Sequence, residues 1–191
     1  MIDFWEILGR AVTDDVFRNA LYDSFAAANP APNPNKKNKY ACKYADTDYA
    51  TARALVVAKM GPVSLMALGE WFVLSMLHRN TRTTLNNIAR IVQKNLNSYS
   101  STNPVFYQTL GAGIVDAAFL DEFNLGNEAT YGFRLSAPDR AALAQVMGES
   151  TGAFRAQSGT FHDSNWVSGC KDMVIQSVGH PYAHALEVKF P

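Results

Sequence analysis

The chain has 191 residues, with 17 Lys and Arg against 17 Asp and Glu, and so carries no net charge at neutral pH. Hydrophobic residues make up 48% and charged residues 18%, which is the balance of an ordinary globular protein able to bury a core in one domain, 1–191. Without net charge there is no global field to select a nucleic acid or a membrane. The charge is uneven, however. Residues 29–98 hold ten Lys or Arg against Asp46, Asp48 and Glu70, a local balance of +7. Acidic ends folded against a basic middle account for this pattern, and so does a middle that meets an anionic partner. The two cysteines, Cys42 and Cys170, form no metal-type pair, and the opening Met-Ile-Asp-Phe-Trp-Glu lacks the basic segment and apolar core of a secretory signal. A cytoplasmic protein with free thiols is the expectation.

Residues 2–25 read as helix in two pieces. Phe4, Ile7, Leu8 and Ala11 recur at helical spacing, Thr13 or Asp14 caps a second piece, and Val16, Phe17, Ala20 and Leu21 form its apolar face. Residues 29–45 are rich in Pro, Asn and Lys and read as a loop or arm. Asp46-Thr-Asp48 supplies cap chemistry for a helix through Ala50 to Met60, which Gly61-Pro62 ends. The run from Gly61 to Leu77 is the most apolar in the chain and predicts a central buried helix. Arg53, Lys59 and Glu70, with the Gly-Pro break, keep this region from reading as a membrane span. A further helix sets Leu85, Ile88, Ala89, Val92 and Leu96 on one face. Residues 97–104 are a turn, and 105–123 returns to helical spacing, weakened by Gly111 and Gly113. Ser136, with Asp139 three residues on, predicts the start of a helix through Met147. The Gly-, Ser- and Thr-rich stretch 148–168 reads as irregular, and a last segment runs from Asp172 to about Gly179. No strand-like alternation occurs, so the expected class is all-α: a single domain of six to eight helices around a central apolar helix.

Leu8-Gly9, Asp14 and Phe17 recur as Leu110-Gly111, Asp116 and Phe119 at the same spacing, which suggests an internal repeat of 4–25 in 106–147. Each copy reads as a helix, a capping acid and a second helix anchored by an aromatic ring. Residues 4–21 resemble the opening of the helical leader-type modules of ribosomally made, modified peptides. The same module type is similar to the small subunit of extradiol aromatic-ring dioxygenases. Residues 110–143 extend the resemblance, because Tyr131-Gly132-Phe133 with Leu135-Ser136 resembles the glycine and capped last helix that close such modules. The first copy lacks that ending, and nothing in 26–102 matches. The resemblance implies a recognition or accessory role, since such modules perform no chemistry themselves.

His180-Pro-Tyr-Ala-His184 is an H-x-x-x-H pair that could share a metal, although Pro181 sets His180 at a cap. Cys170 with His162 or His184 has no local support as nucleophile and base. No Gly-x-Ser-x-Gly, phosphate-cradling loop or His-Glu-x-x-His occurs. Arg79, Arg82, Arg90 and Lys94 form a basic helix face without interleaved aromatics, which argues against a nucleic-acid partner. The expectation is a non-catalytic binding or accessory protein that meets a protein or peptide partner, in peptide maturation, through Phe17, Phe119 and that basic face. Two alternatives stand beside it: a precursor modified within 166–191, and a small metal- or ligand-binding enzyme using His180 and His184. No cofactor and no membrane are expected, and self-association remains open.

Overall fold

Phe4, Ile7, Leu8, Ala11 and Val12 are all buried and fall on one stripe of helix α1, Phe4–Thr13. The Thr13 hydroxyl donates to the Arg10 carbonyl (2.9 Å) as this helix ends, and the Asp14 carboxylate then accepts from the Phe17 N–H (2.9 Å). That bond satisfies a donor left free in the first turn of α2, Asp15–Ser24. The computed structural model describes residues 4–24, 46–63, 79–148 and 152–159. The remaining elements are α3 (Asp46–Met60), α4 (Arg79–Leu96), α5 (Pro104–Val115), α6 (Ala117–Leu125), a short 3-10 turn (Glu128–Tyr131), α7 (Ala137–Met147) and α8 (Gly152–Ser158). Among the described residues there are eight α-helices and no sheet, so the class is all-α, as composition and periodicity predict.

The described core is arranged about α1 and α5, which cross with α4 packed against α1 and α6 to α8 gathered around α5. Gly9 and Gly111 allow the crossing. A Cβ on Gly9 would stand 2.0 Å from the Tyr107 carbonyl oxygen, and one on Gly111 would stand 2.0 Å from that of Trp5. The expected central helix over 61–77 lies, beyond Val63, outside the described residues. So do the 29–45 arm and everything from 160 onward, Cys170, His180 and His184 included.

The 105–123 segment forms two helices that meet at Asp116, the capping acid of the second copy of the suggested repeat. Its extended backbone (φ −128°, ψ 109°) ends α5, and its carboxylate accepts from the Phe119 N–H (3.1 Å) to start α6. Asp116→Ala is expected to cost about 1 kcal/mol of stability, read as a lowered chemical-denaturation midpoint, while Asp116→Asn retains most of it. Ser136 caps α7 as predicted, accepting from the Asp139 N–H at 3.3 Å. The stretch expected to be irregular instead contains α8. Phe154 is 1% exposed and Ser158 fully buried, and α8 rests on α4. Burial of that one ring outweighs the poor helix propensity of its Gly- and Ser-rich flanks.

Candidate functional site

The chain reverses sharply after α4. Asn97 (φ 48°) and Ser98 (φ 68°) both take the left-handed backbone that commonly ends a helix, and the Tyr99 N–H donates back to the Leu96 carbonyl (2.9 Å). The reversal carries Ser98 to Ser100 across the ends of α1 and α5 and encloses a cleft of about 410 Å³. Tyr99 forms one wall. Its hydroxyl donates to Asp139 (2.7 Å) and its ring lies 5.8 Å from Phe106. Phe106 in turn meets Tyr107 edge-on at 5.1 Å, and the Tyr107 hydroxyl donates to the Ser101 carbonyl (2.8 Å).

Two cations stand in this cleft. The Arg10 guanidinium sits 4.0 Å from the centroid of the Tyr107 ring, and its Nε donates to the buried Glu6 carboxylate at 3.4 Å. Its two terminal nitrogens make no hydrogen bond to the described residues. The side chain is therefore held flat and aimed while its strongest donors stay available. Lys59 reaches in from the last turn of α3 to bond Asp14 at 2.6 Å. Burial works to raise the Asp14 carboxyl, but the Lys59 bond and the Phe17 N–H outweigh it and leave it below its ordinary value. Gln93 of α4 ties the floor together, donating to the Val12 carbonyl (3.2 Å) and to Asp15 (2.8 Å). That bond and Arg18 hold the Asp15 carboxyl low as well.

Asp139 behaves in the same way. Burial pushes its carboxyl up, yet bonds from Tyr99, Ser101, Ser136 and Asn103 prevail and hold it low. The folded state thus keeps Asp14, Asp15 and Asp139 ionised more firmly than the unfolded chain does. Their contribution is complete above the unfolded carboxylate range and is lost as pH falls through the lowered folded values. Far-UV circular dichroism is expected to show stability falling below about pH 4, less steeply in Asp139→Asn.

The residues singled out from sequence do not assemble into this site. Phe17 and Phe119 are core residues, 6% and 2% exposed. Arg82 lies 4.7 Å over the Tyr22 ring, Arg90 donates to Asn87 (3.4 Å), and Lys94 is exposed. The side chain of Arg79 falls outside the described residues. Much of the polar face beside these cations is spent inside the fold, with Asn86 accepting from Arg18 (3.1 Å) and Gln93 binding α1 and α2. Among the described residues no three His, Cys, Asp or Glu side chains gather as metal ligands, and no described helix is long and apolar enough to cross a membrane. A search of family models finds none that matches the chain, and searches of curated proteins and of solved structures return no match. Arg10, Lys59, Tyr99 and Tyr107 are the residues the sequence reading misses. The available signal is a difference between the copies of the suggested repeat, where Arg10 of the first stands at the place of Ala112 in the second.

Proposed function

We propose that this chain is a non-catalytic binding or accessory protein that recognises a protein or peptide partner, and that a carboxylate of the partner enters the Arg10 cleft. The observation that carries this reading is the state of Arg10. Its guanidinium is oriented by Glu6 and Tyr107, while its two terminal nitrogens are unclaimed by the described residues. A planar fork fixed in that way matches a carboxylate with two parallel N–H···O bonds, and little side-chain entropy is left to lose on binding. Lys59, already shared with Asp14, adds positive potential at the rim. A place in peptide maturation and a cytoplasmic setting belong to the same proposal, supported by the resemblance of 4–21 and 110–143 to leader-type helical modules.

The test is an NMR titration of the full chain with the blocked tripeptide acetyl-Gly-Asp-Gly-amide. Amides of Arg10, Ser98, Tyr99 and Ser100 are expected to shift, weakly with the Asn peptide, and Arg10→Met is expected to lower affinity at least tenfold while retaining the aliphatic stem over Tyr107. Equal binding by Arg10→Met, or shifts spread over the whole surface, would sink the reading.

A further inference from the structure

Asp14 divides its two carboxylate oxygens between separate tasks. Oδ1 accepts from the Phe17 N–H (2.9 Å) and starts α2, while Oδ2 takes the Lys59 ammonium at 2.6 Å. Starting the helix requires only the first of these bonds. Asp116 stands at the equivalent place between α5 and α6 in the suggested repeat. It caps α6 with one oxygen, accepting from the Phe119 N–H (3.1 Å), and none of the described cations pairs with it. One oxygen therefore suffices for the cap, and the second oxygen of Asp14 serves another end.

That end lies in the cleft, which Asp14, Lys59 and Arg10 line together. Lys59 comes from the last turn of α3, 45 residues along the chain from Asp14. Its side chain is 44% exposed and that of Asp14 30%. An ion pair so open to water is weak, and an ammonium on a flexible four-carbon stem changes partners readily. Arg10 is the opposite case, since Glu6 at 3.4 Å and the Tyr107 ring at 4.0 Å fix its plane. The cleft thus holds one fixed cation and one movable cation that already carries a carboxylate of the chain itself.

We infer that Asp14 is an internal competitor, whose Oδ2 occupies Lys59 in the place of the partner's carboxylate, so that binding exchanges one carboxylate for the other on the ammonium. The inference rests on the proposed function above and adds to it the residue that holds its affinity down. The incoming carboxylate sits on the Arg10 fork and turns a remaining lone pair to Lys59. Asp14 Oδ2 returns to water, and Oδ1 keeps its bond to Phe17, so the start of α2 is untouched by the exchange.

Asp14→Asn separates the two tasks, because Asn caps a helix as well as Asp but offers Lys59 no charge. The full chain carrying this substitution is expected to keep its helical circular dichroism and to bind acetyl-Gly-Asp-Gly-amide about threefold more tightly than the unaltered chain. The gain is expected to be clearly larger with Lys59 present than in a Lys59→Met background, where only the loss of a nearby negative charge remains to act. In the unaltered chain the Lys59 Cε–Hε resonances are expected to move, as peptide is added, toward their positions in Asp14→Asn. Unchanged affinity in Asp14→Asn overturns the inference and leaves the pair as a tether between α2 and α3. An equal gain with and without Lys59 overturns it too, and so do Lys59 resonances that stay in place while the Arg10 amide shifts. Each of these results leaves the carboxylate reading of Arg10 standing, which Arg10→Met tests separately.

Discussion

Gly9→Ala is expected to lower stability by on the order of 3 kcal/mol, a large share of the few kcal/mol that separate folded from unfolded domains of this size. The added methyl would lie 2.0 Å from the Tyr107 carbonyl oxygen and 2.7 Å from the carbonyl carbon, and both are backbone atoms that cannot rotate away. The helices must separate, and every contact along the α1–α5 crossing loosens with them. Alanine's better helix propensity returns about 1 kcal/mol, too little to offset this. Gly111→Ala meets the Trp5 carbonyl in the same way and is expected to have a similar effect. Because both substitutions open one crossing, the double variant should lose less than the sum of the singles. Gly113→Ala is the control: its new methyl meets the Met147 sulfur at 2.5 Å, the flexible end of a side chain that can turn aside. Thermal denaturation checks all four variants, with a fall of roughly 10 °C for Gly9→Ala and a clearly smaller one for Gly113→Ala. An unchanged melting temperature in Gly9→Ala would contradict the crossing described.

Phe119→Ala is expected to cost about 3–5 kcal/mol. The ring is 2% exposed, and it meets Phe133 at 5.0 Å and Tyr131 at 5.4 Å, both edge-on. Truncation leaves a cavity under α6 and takes from Phe133 one of the two rings beside it, the other being Trp5 at 5.9 Å, so the contact with Trp5 loosens together with the core. Phe119→Leu should recover part of the loss by filling volume without restoring the edge contacts. Urea unfolding monitored by circular dichroism gives the readout: a lower midpoint with unchanged slope marks a loss of stability in the same folded state. A loss under 1 kcal/mol would mean that Phe119 is not the anchor its burial indicates.

Phe17 and Phe119 also show how far a local pattern can be read. That each follows a capping aspartate by three residues is visible in the chain, and both caps form, with Asp14 and Asp116 accepting from the N–H groups of Phe17 and Phe119. Whether such a ring faces a partner or the core is not a local property. Phe17 on α2 and Phe119 on α6 are both buried, and burial depends on what the tertiary fold packs around each ring. The stretch after Gly148 errs in the other direction. Its composition discourages a helix, and Phe154 imposes one because α4 offers it a place to be buried.

What this sequence determines unaided is the helical class, the starts of helices at Asp14 and Ser136, the end of α3 at Gly61, and the apolar stripes of α1 and α4. All of these depend on bonds and spacings within about four residues, the range over which backbone donors, caps and helical periodicity act. The crossing of α1 with α5 and the cleft beside it belong to tertiary structure alone. In the sequence Arg10 is one more charged residue on an amphipathic helix. Its guanidinium is held flat only because Tyr107, far along the chain, is carried beneath it, and two glycines allow the backbones close enough for that to happen.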